Sequence, residues 1–238
     1  MQPVLVVLLA AVAMIGVEWW QPGTRLPRVR GWVPRVALLN AAQVAVVYLG
    51  AASWDRWLPQ LRWFDAGQLP QPLGVALGYV VITFVFYWWH RARHEVSWLW
   101  YGLHQVHHSP ARIECAMSFY KHPMEIAING ALSSLVLYVL VGLPPDSAAI
   151  VVAITGVAEL FYHWNVRTPH WLGYFFQRPE MHRRHHERDW HRSNYSDLPL
   201  WDLLFGTFEN PRVSPALCGF ADDAERQLGR LLSGRRPS

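Results

Sequence analysis

PLGVALGYVVITFVFYWWHRARHEVSWLWYGLHQVHHSP, residues 72–110, is the stretch that decides the fold. It opens with an apolar run at 72–89, close to the ~20 residues a helix needs to cross a hydrocarbon layer of about 30 Å. The run closes in the aromatic belt Phe86-Tyr87-Trp88-Trp89, and His90 and His94 follow where the helix leaves the bilayer. Residues three and four apart share a helix face, so each such cluster can aim its imidazoles at one point. Residues 98–109 continue as a second helical stretch that presents His104, His107 and His108.

The pattern recurs at 182–186, where HRRHH supplies His182, His185 and His186. Pro179 suits the first turn of a helix over 180–188. With 12 His in 238 residues, random placement would give roughly 0.03 matches to H-x2-H-H, and the chain holds two. Eight histidines at these spacings read as a polyhistidine metal site. His163 in HWN and His122 in KHP follow ordered stretches from which they could join it, although an isolated His often only packs or caps. His170 and His191 read as surface or outer-sphere residues.

Working outward, the composition is that of a membrane protein: 52% apolar, 16% charged, 14 Trp. Apolar runs at 3–20, 36–52, 72–89, 126–143 and 147–164 approach spanning length, the second interrupted by Asn40 and Gln43. The expected fold is all-α, an integral membrane bundle of four to five spanning helices with a cytoplasmic histidine-rich helical cap. No Lys or Arg precedes the first run, which argues against a secretion signal. Arg25, Arg28, Arg30 and Arg35 follow it, so the positive-inside rule puts residues 21–35 in the cytoplasm. Threading five spans from there leaves only Arg56 and Arg62 on the far side, with 19 of the 21 basic residues and the histidines on the cytoplasmic side. Topology therefore accounts for the net charge of +4, and nucleic acid need not be invoked as a partner. An excess of 20 Arg over one Lys points to a GC-rich bacterial genome and hence to a bacterial inner membrane.

Cys115 and Cys218 form no C-x2-C pair, so neither a disulfide framework nor a thiolate zinc site is supported. Pro144-Pro145-Asp146 reads as a tight turn between the last two runs, and residues 221–238 as a short amphipathic helix with a frayed basic end. Eight to ten imidazoles exceed the needs of one ion; two ions with four or five nitrogens each would use them. Imidazole suits iron, zinc, copper or nickel. Glu-x-x-His pairs and H-E-x-x-H are both absent, which excludes carboxylate-bridged di-iron bundles and zincins. A bis-His haem would place ligands within the spans rather than past their ends. Neutral imidazoles leave the charge of two divalent ions uncompensated, which favours anionic oxygen ligands and fits oxygen activation. Glu95, Glu125, Glu159, Asp189 and Asp202 are candidates to orient ring N–H groups, or else ordinary headgroup-level ion partners.

HRARHEVSWLWYGLHQVHHSP, KHP at 121–123, HWN at 163–165, PEMHRRHH and NYSDLPLWDLLFGTFENP together resemble, in order from about 80 to 211, the fatty acid hydroxylase and sterol desaturase superfamily. The resemblance implies an integral membrane enzyme with two Fe ions held by histidines, for which zinc can substitute. Such an enzyme uses oxygen and electrons from a separate ferredoxin, cytochrome or reductase to hydroxylate or desaturate a lipid. Carried over box by box, it makes His90, His94, His104, His107, His108, His182, His185 and His186 ligands, and extends the set to His163 and His122. Residues 71–212 are then the catalytic domain, between N-terminal membrane helices at 1–70 and a tail at 213–238. Tyr120-Lys121 and Ser196 depart from the family's usual Arg and Gly, which bears on substrate class. No flavin or nicotinamide fingerprint is visible.

The expected activity is lipid C–H hydroxylation, with desaturation on the same site as the alternative. A membrane metal-binding or transport protein is the alternative of another class. It is disfavoured because the spans lack charge at their centres and the histidines gather on one side. Trp201 to Phe208 reads as a structural aromatic plug beneath the third histidine segment, with Gly206 permitting a turn.

Overall fold

The computed structural model describes residues 3–237. Among them the chain is helical, with no strand and a single isolated bridge between Glu187 and Cys218. In chain order the helices are α1 (Pro3–Trp20), α2 (Trp32–Ala52), α3 (Gln71–Glu95), α4 (residues 97–108), α5 (Pro123–Leu140) and α6 (Pro145–His163). The short helices α7 (Pro179–His185), α8 (Pro199–Leu204) and α9 (Leu228–Leu232) follow.

Four helices are long and apolar enough to cross a membrane: α2 with its continuation to Arg56, α3, α5 and α6. The apolar part of α1, Val4–Trp20, has 17 residues and reaches about 26 Å at 1.5 Å per residue. The spans keep much of their apolar surface outward, as at Leu38, Leu49, Leu73 and Leu77, which suits a hydrocarbon solvent. Inside the bundle, α1 and α3 pack on α6, and α2 packs on α5. Small residues set these approaches: a Cβ at Gly156 would stand 2.8 Å from Val7 of α1, and one at Gly78 2.6 Å from Leu143.

Above the spans, α4 and most of the chain after α6 form the cap, while α8 packs lower, against Thr83 and Phe84 of α3. The cap's core joins Val106 of α4 to Trp32, Ile113, Met117 and Tyr120, and to Cys218 and Leu231 from the C-terminal segment. The expected frayed end is instead a strap across α4. The Gln105 amide donates to the Leu231 and Arg235 carbonyls at 3.1 and 3.2 Å, and Arg236 lies over the Tyr101 ring. A wide π turn at Trp100–His104 opens the helix up to and including the first of its three histidines, a distortion common at functional sites.

Candidate metal centre

Two groups of imidazoles face each other inside the cap. His90, His94, His104, His108 and His185 form one, and His107, His163, His182 and His186 the other; within each, one nitrogen per ring lies within 4.8 Å of all the rest. In the group of five, Nε2 of His94 is 3.3 Å from His90 and 3.1 Å from His104, and Nε2 of His185 is 3.1 Å from His90. In the group of four, His182 Nε2 stands 3.0 Å from His163 and 3.1 Å from His186. The groups adjoin where His108 stacks on His186, ring centres 4.0 Å apart.

Each cluster was expected to aim its rings at one point, and the structure corrects this. Pairs four apart do share a centre: His90 with His94, His104 with His108, and His182 with His186. The middle member of the second and third boxes goes to the other group, His107 to the four and His185 to the five. Successive residues on a helix diverge by ~100°. The His-His dipeptides at 107–108 and 185–186 therefore straddle two centres.

The rings are oriented from behind. Nδ1 of His90, His185 and His163 bonds the carbonyls of Tyr195, Ser193 and Glu159 at 2.8, 2.7 and 2.8 Å, and that of His107 bonds Tyr120 at 3.3 Å. Nδ1 of His104 meets the Glu125 carboxylate at 3.1 Å, which also pairs with buried Arg93. A ring that donates Nδ1–H to an oxygen presents its bare Nε2 lone pair forward. Burial is the main cause that pushes His104, His107, His108, His182 and His186 well below the ordinary imidazole range and His185 down to about 3, with neighbouring rings adding to the push for most of them. Neutral lone pairs packed this closely repel one another unless a cation lies between them, so the donor set fits two metal ions. The orphaned Nε2 of buried His108 carries the same message.

One loop serves most of the five-membered group. His191, read from sequence as a surface or outer-sphere residue, takes the second place: its Nδ1 stands 3.1 Å from Nδ1 of His108, and its carbonyl accepts from the His94 ring. With Ser193 and Tyr195, this loop holds four of the five rings. Its backbone is left-handed at Asp189, His191, Ser193 and Asn194, with φ of 63°, 41°, 77° and 53°, a conformation that persists only where surroundings enforce it. Asn194 enforces it: its amide donates to Met181 and Glu209 carbonyls at 3.1 and 2.8 Å and accepts from the Glu209 N–H at 2.9 Å. A histidine two residues before Ser-Asn, five residues beyond the dipeptide, was the available sequence signal.

Of the candidate acids, Glu125 touches a ring directly. Glu159 acts through its carbonyl and pairs its carboxylate with Lys121. Asp202 accepts from the N–H groups of Tyr195 and Ser196 at 2.8 and 3.0 Å, and so acts on His90 at one remove. Glu95 pairs with Arg91 on the exposed side, and Asp189 shapes the loop and lies close enough to His191 to favour its charged form. His122 stands outside both groups and is withdrawn from the ligand set. Its Nδ1 accepts from Met124 N–H at 3.0 Å to cap α5, and its Nε2 meets the Leu232 carbonyl at 3.1 Å. His170 is likewise engaged elsewhere, at the Asn210 carbonyl.

Below the rings lies a cavity of about 740 Å³ bounded by α1, α2, α3, α5 and α6. Its metal end is lined by His90, His104, His107 and His182, and its far end by apolar side chains such as Val7, Ala11, Val44 and Val152.

Residues 75–207 match the family model for fatty acid hydroxylases, a stretch that contains all nine grouped histidines. The chain belongs to the fatty acid hydroxylase family. This fatty acid hydroxylase chain is 32% identical over 181 residues to an ornithine lipid hydroxylase, OlsE, of Rhizobium tropici, covering 74% of this chain and 50% of the relative. It is 31% identical over 160 residues to the alkylglycerol monooxygenase of Homo sapiens, 64% of this chain and 32% of the relative. A very-long-chain aldehyde decarbonylase, GL1-8, of Oryza sativa subsp. indica is 34% identical over 148 residues, 58% of this chain and 53% of the relative. The chain thus spans about half the length of the first relative and a third of the second. No solved structure matches it.

Proposed function

We propose that this protein is a membrane-bound non-haem di-iron oxygenase that hydroxylates a C–H bond of a lipid, using oxygen and electrons delivered by a separate protein. The observation that carries this reading is the apolar cavity that runs between the spanning helices and ends at the histidine rings. His90, His94, His104, His108 and His185 would hold one iron, and His107, His163, His182 and His186 the other. When bound, the iron pair supplies oxygen activation and attack on an unactivated C–H bond. On this reading the centre faces the cytoplasm at a bacterial inner membrane, where the electron donor also lies.

The chain's own residues supply orientation and exclusion. Carbonyls of Tyr120, Glu159, Ser193 and Tyr195 fix ring tautomers, so the ligands meet the ions preformed. Ile82, Phe86 and Leu160 line the cavity beneath and keep water from the reacting carbon. Lys121, the single lysine of the chain, also lines it and pairs with Glu159. Lys121 follows Tyr120, the carbonyl partner of His107, and Glu159 is the carbonyl partner of His163. The ion pair therefore offers donors and an acceptor to a lipid's polar group beside the four-histidine site, with the alkyl chain running down between α1 and α2. The relatives' names, ornithine lipid hydroxylase and alkylglycerol monooxygenase, support a substrate of that amphiphilic kind.

Comparative lipid mass spectrometry of cells with and without the protein tests the reading, together with iron analysis of the purified chain. A lipid carrying one added oxygen, with two irons per chain, is the expected result. Loss of two hydrogens without added oxygen would establish desaturation instead, and an unchanged lipid profile would sink the oxidative assignment.

A further inference from the structure

The chain after α6 was expected to lie wholly in the aqueous cap, with Trp201 to Phe208 as a buried plug. The contacts of α8 place it elsewhere. Trp201 donates its indole N–H to Thr83 Oγ at 3.0 Å, and the Ser196 hydroxyl meets the Thr83 carbonyl at 3.3 Å. Phe205 stacks on Tyr87 and packs on Trp88, with ring centres 5.2 and 4.8 Å apart, and Trp201 meets the edge of Phe84 at 4.9 Å. All four partners belong to the apolar run of a spanning helix, below its terminal Trp89. Thr83 lies six residues before Trp89, about 9 Å deeper at the α-helical rise.

At that depth α8 turns Leu200, Leu203, Leu204 and Phe205 outward. The adjoining segment at 170–176, joined to the chain just after α8 by the Tyr174–Phe208 ring contact and the His170–Asn210 bonds, exposes Trp171, Tyr174, Phe175 and Phe176. Leu204 and Phe175 are 62% and 61% exposed. In residues 170–176 and 199–205 the one carboxylate or fixed charge is Asp202, and it is buried. It accepts from Tyr195 N–H, Ser196 N–H and the Thr207 hydroxyl. Polar groups just behind the patch are likewise met from within: Gln177 donates to the Asn194 carbonyl, and Arg178 to the Thr168 and Pro211 carbonyls. An apolar face of this size, with its one carboxylate satisfied internally, is what a hydrocarbon neighbour requires.

We propose that residues 170–176 and α8 are immersed among the acyl chains of the leaflet on the metal-centre side, as a re-entrant wedge continuous with the lipid-facing surface of α3. The occupant is the bilayer itself, since the patch begins at Phe84 and Trp88, which are themselves outward-facing on a span. The immersion has a consequence for the site. Asp202 ties α8 to Tyr195, whose carbonyl holds His90 at 2.8 Å, so the bilayer holds part of the metal centre's supporting loop in register.

Nitroxide labels on Leu204→Cys, Leu200→Cys and Phe175→Cys, in the full chain reconstituted into phosphatidylcholine vesicles, test this. Native Cys115 and Cys218 are buried, so the introduced thiol is the reactive one. Arg188→Cys, on the polar face where Arg188 pairs with exposed Asp222, is the aqueous control. The labels should relax with membrane-dissolved oxygen and lose relaxation by a water-soluble nickel chelate, with the reverse at 188. Nickel relaxation at 204, 200 and 175 equal to that at 188 would overturn the proposal. So would shielding from both reagents, which would mean that a second copy or another protein covers the patch. Three independent label sites keep the test decisive if one variant fails to fold.

Discussion

Replacing His191 by Leu removes the ring behind His108 while leaving every ligand in place. His108 Nδ1 then loses its 3.1 Å partner, and a buried N–H without an acceptor costs about 1–3 kcal/mol. An outer partner of a ligating imidazole is generally worth about 10- to 100-fold in metal affinity, which corresponds to about 1.4–2.8 kcal/mol and agrees with that cost. The loss falls on one ion. His107 and His163 take their carbonyl partners from Tyr120 and Glu159, far from the 189–195 loop. Chelator competition followed by metal analysis should therefore show one weakened and one unchanged ion per chain. His191→Gln, whose amide oxygen can accept from His108, should recover most of the loss. Equal weakening of both ions, or no recovery with Gln while Leu is impaired, would refute the reasoning from paired centres.

Other consequences are as direct. Glu125→Ala strands the guanidinium of buried Arg93, and thermal melts should register about 3–5 kcal/mol of lost stability; a melt unchanged from the parent would mean that the pair contributes nothing. Lys121→Met should leave both metals bound but lower kcat/KM on the native lipid about tenfold or more, the worth of a hydrogen bond to a charged group; loss of iron together with turnover would reassign Lys121 to metal support. In metal-stripped protein, His185 and His191 are lowered to about 3 and 4 by burial, so between there and the unfolded value of about 6.5 the unfolded chain binds more protons. Stability is then lost as pH falls through that window. Asp197 and Asp202, raised by burial to about 7 and 6, work in the opposite direction, but the buried rings outnumber them. Melting of the stripped protein at a series of pH values should show the decline below pH ~6.5, and a flat or rising profile would contradict it.

Local pattern sufficed for much of this protein. Run lengths and the aromatic belt of α3 marked its spans, and i, i+4 spacing marked which rings meet, because both follow from helical rise and periodicity within one segment. The doubtful run was the second, interrupted by Asn40 and Gln43, yet α2 is long and apolar enough to span, and the run that falls short is α1 with 17 apolar residues. The split of each His-His dipeptide between two histidine groups was latent in the same ~100° step, but only the facing helices gave the second ring its companions. His122 left the place expected of it and His191 proved an outer partner rather than a surface residue, since a lone histidine's neighbours come from distant chain: the Leu232 carbonyl for one, His108 for the other. The loop that orients the five-ring site meets His90 across 105 residues, and α8 reaches Thr83 across 118. Sequence therefore determined which residues could bind metal and which could face lipid. Tertiary structure alone decided which group each ring joins and which helix the final segments pack against, because those depend on partners that no periodicity relates.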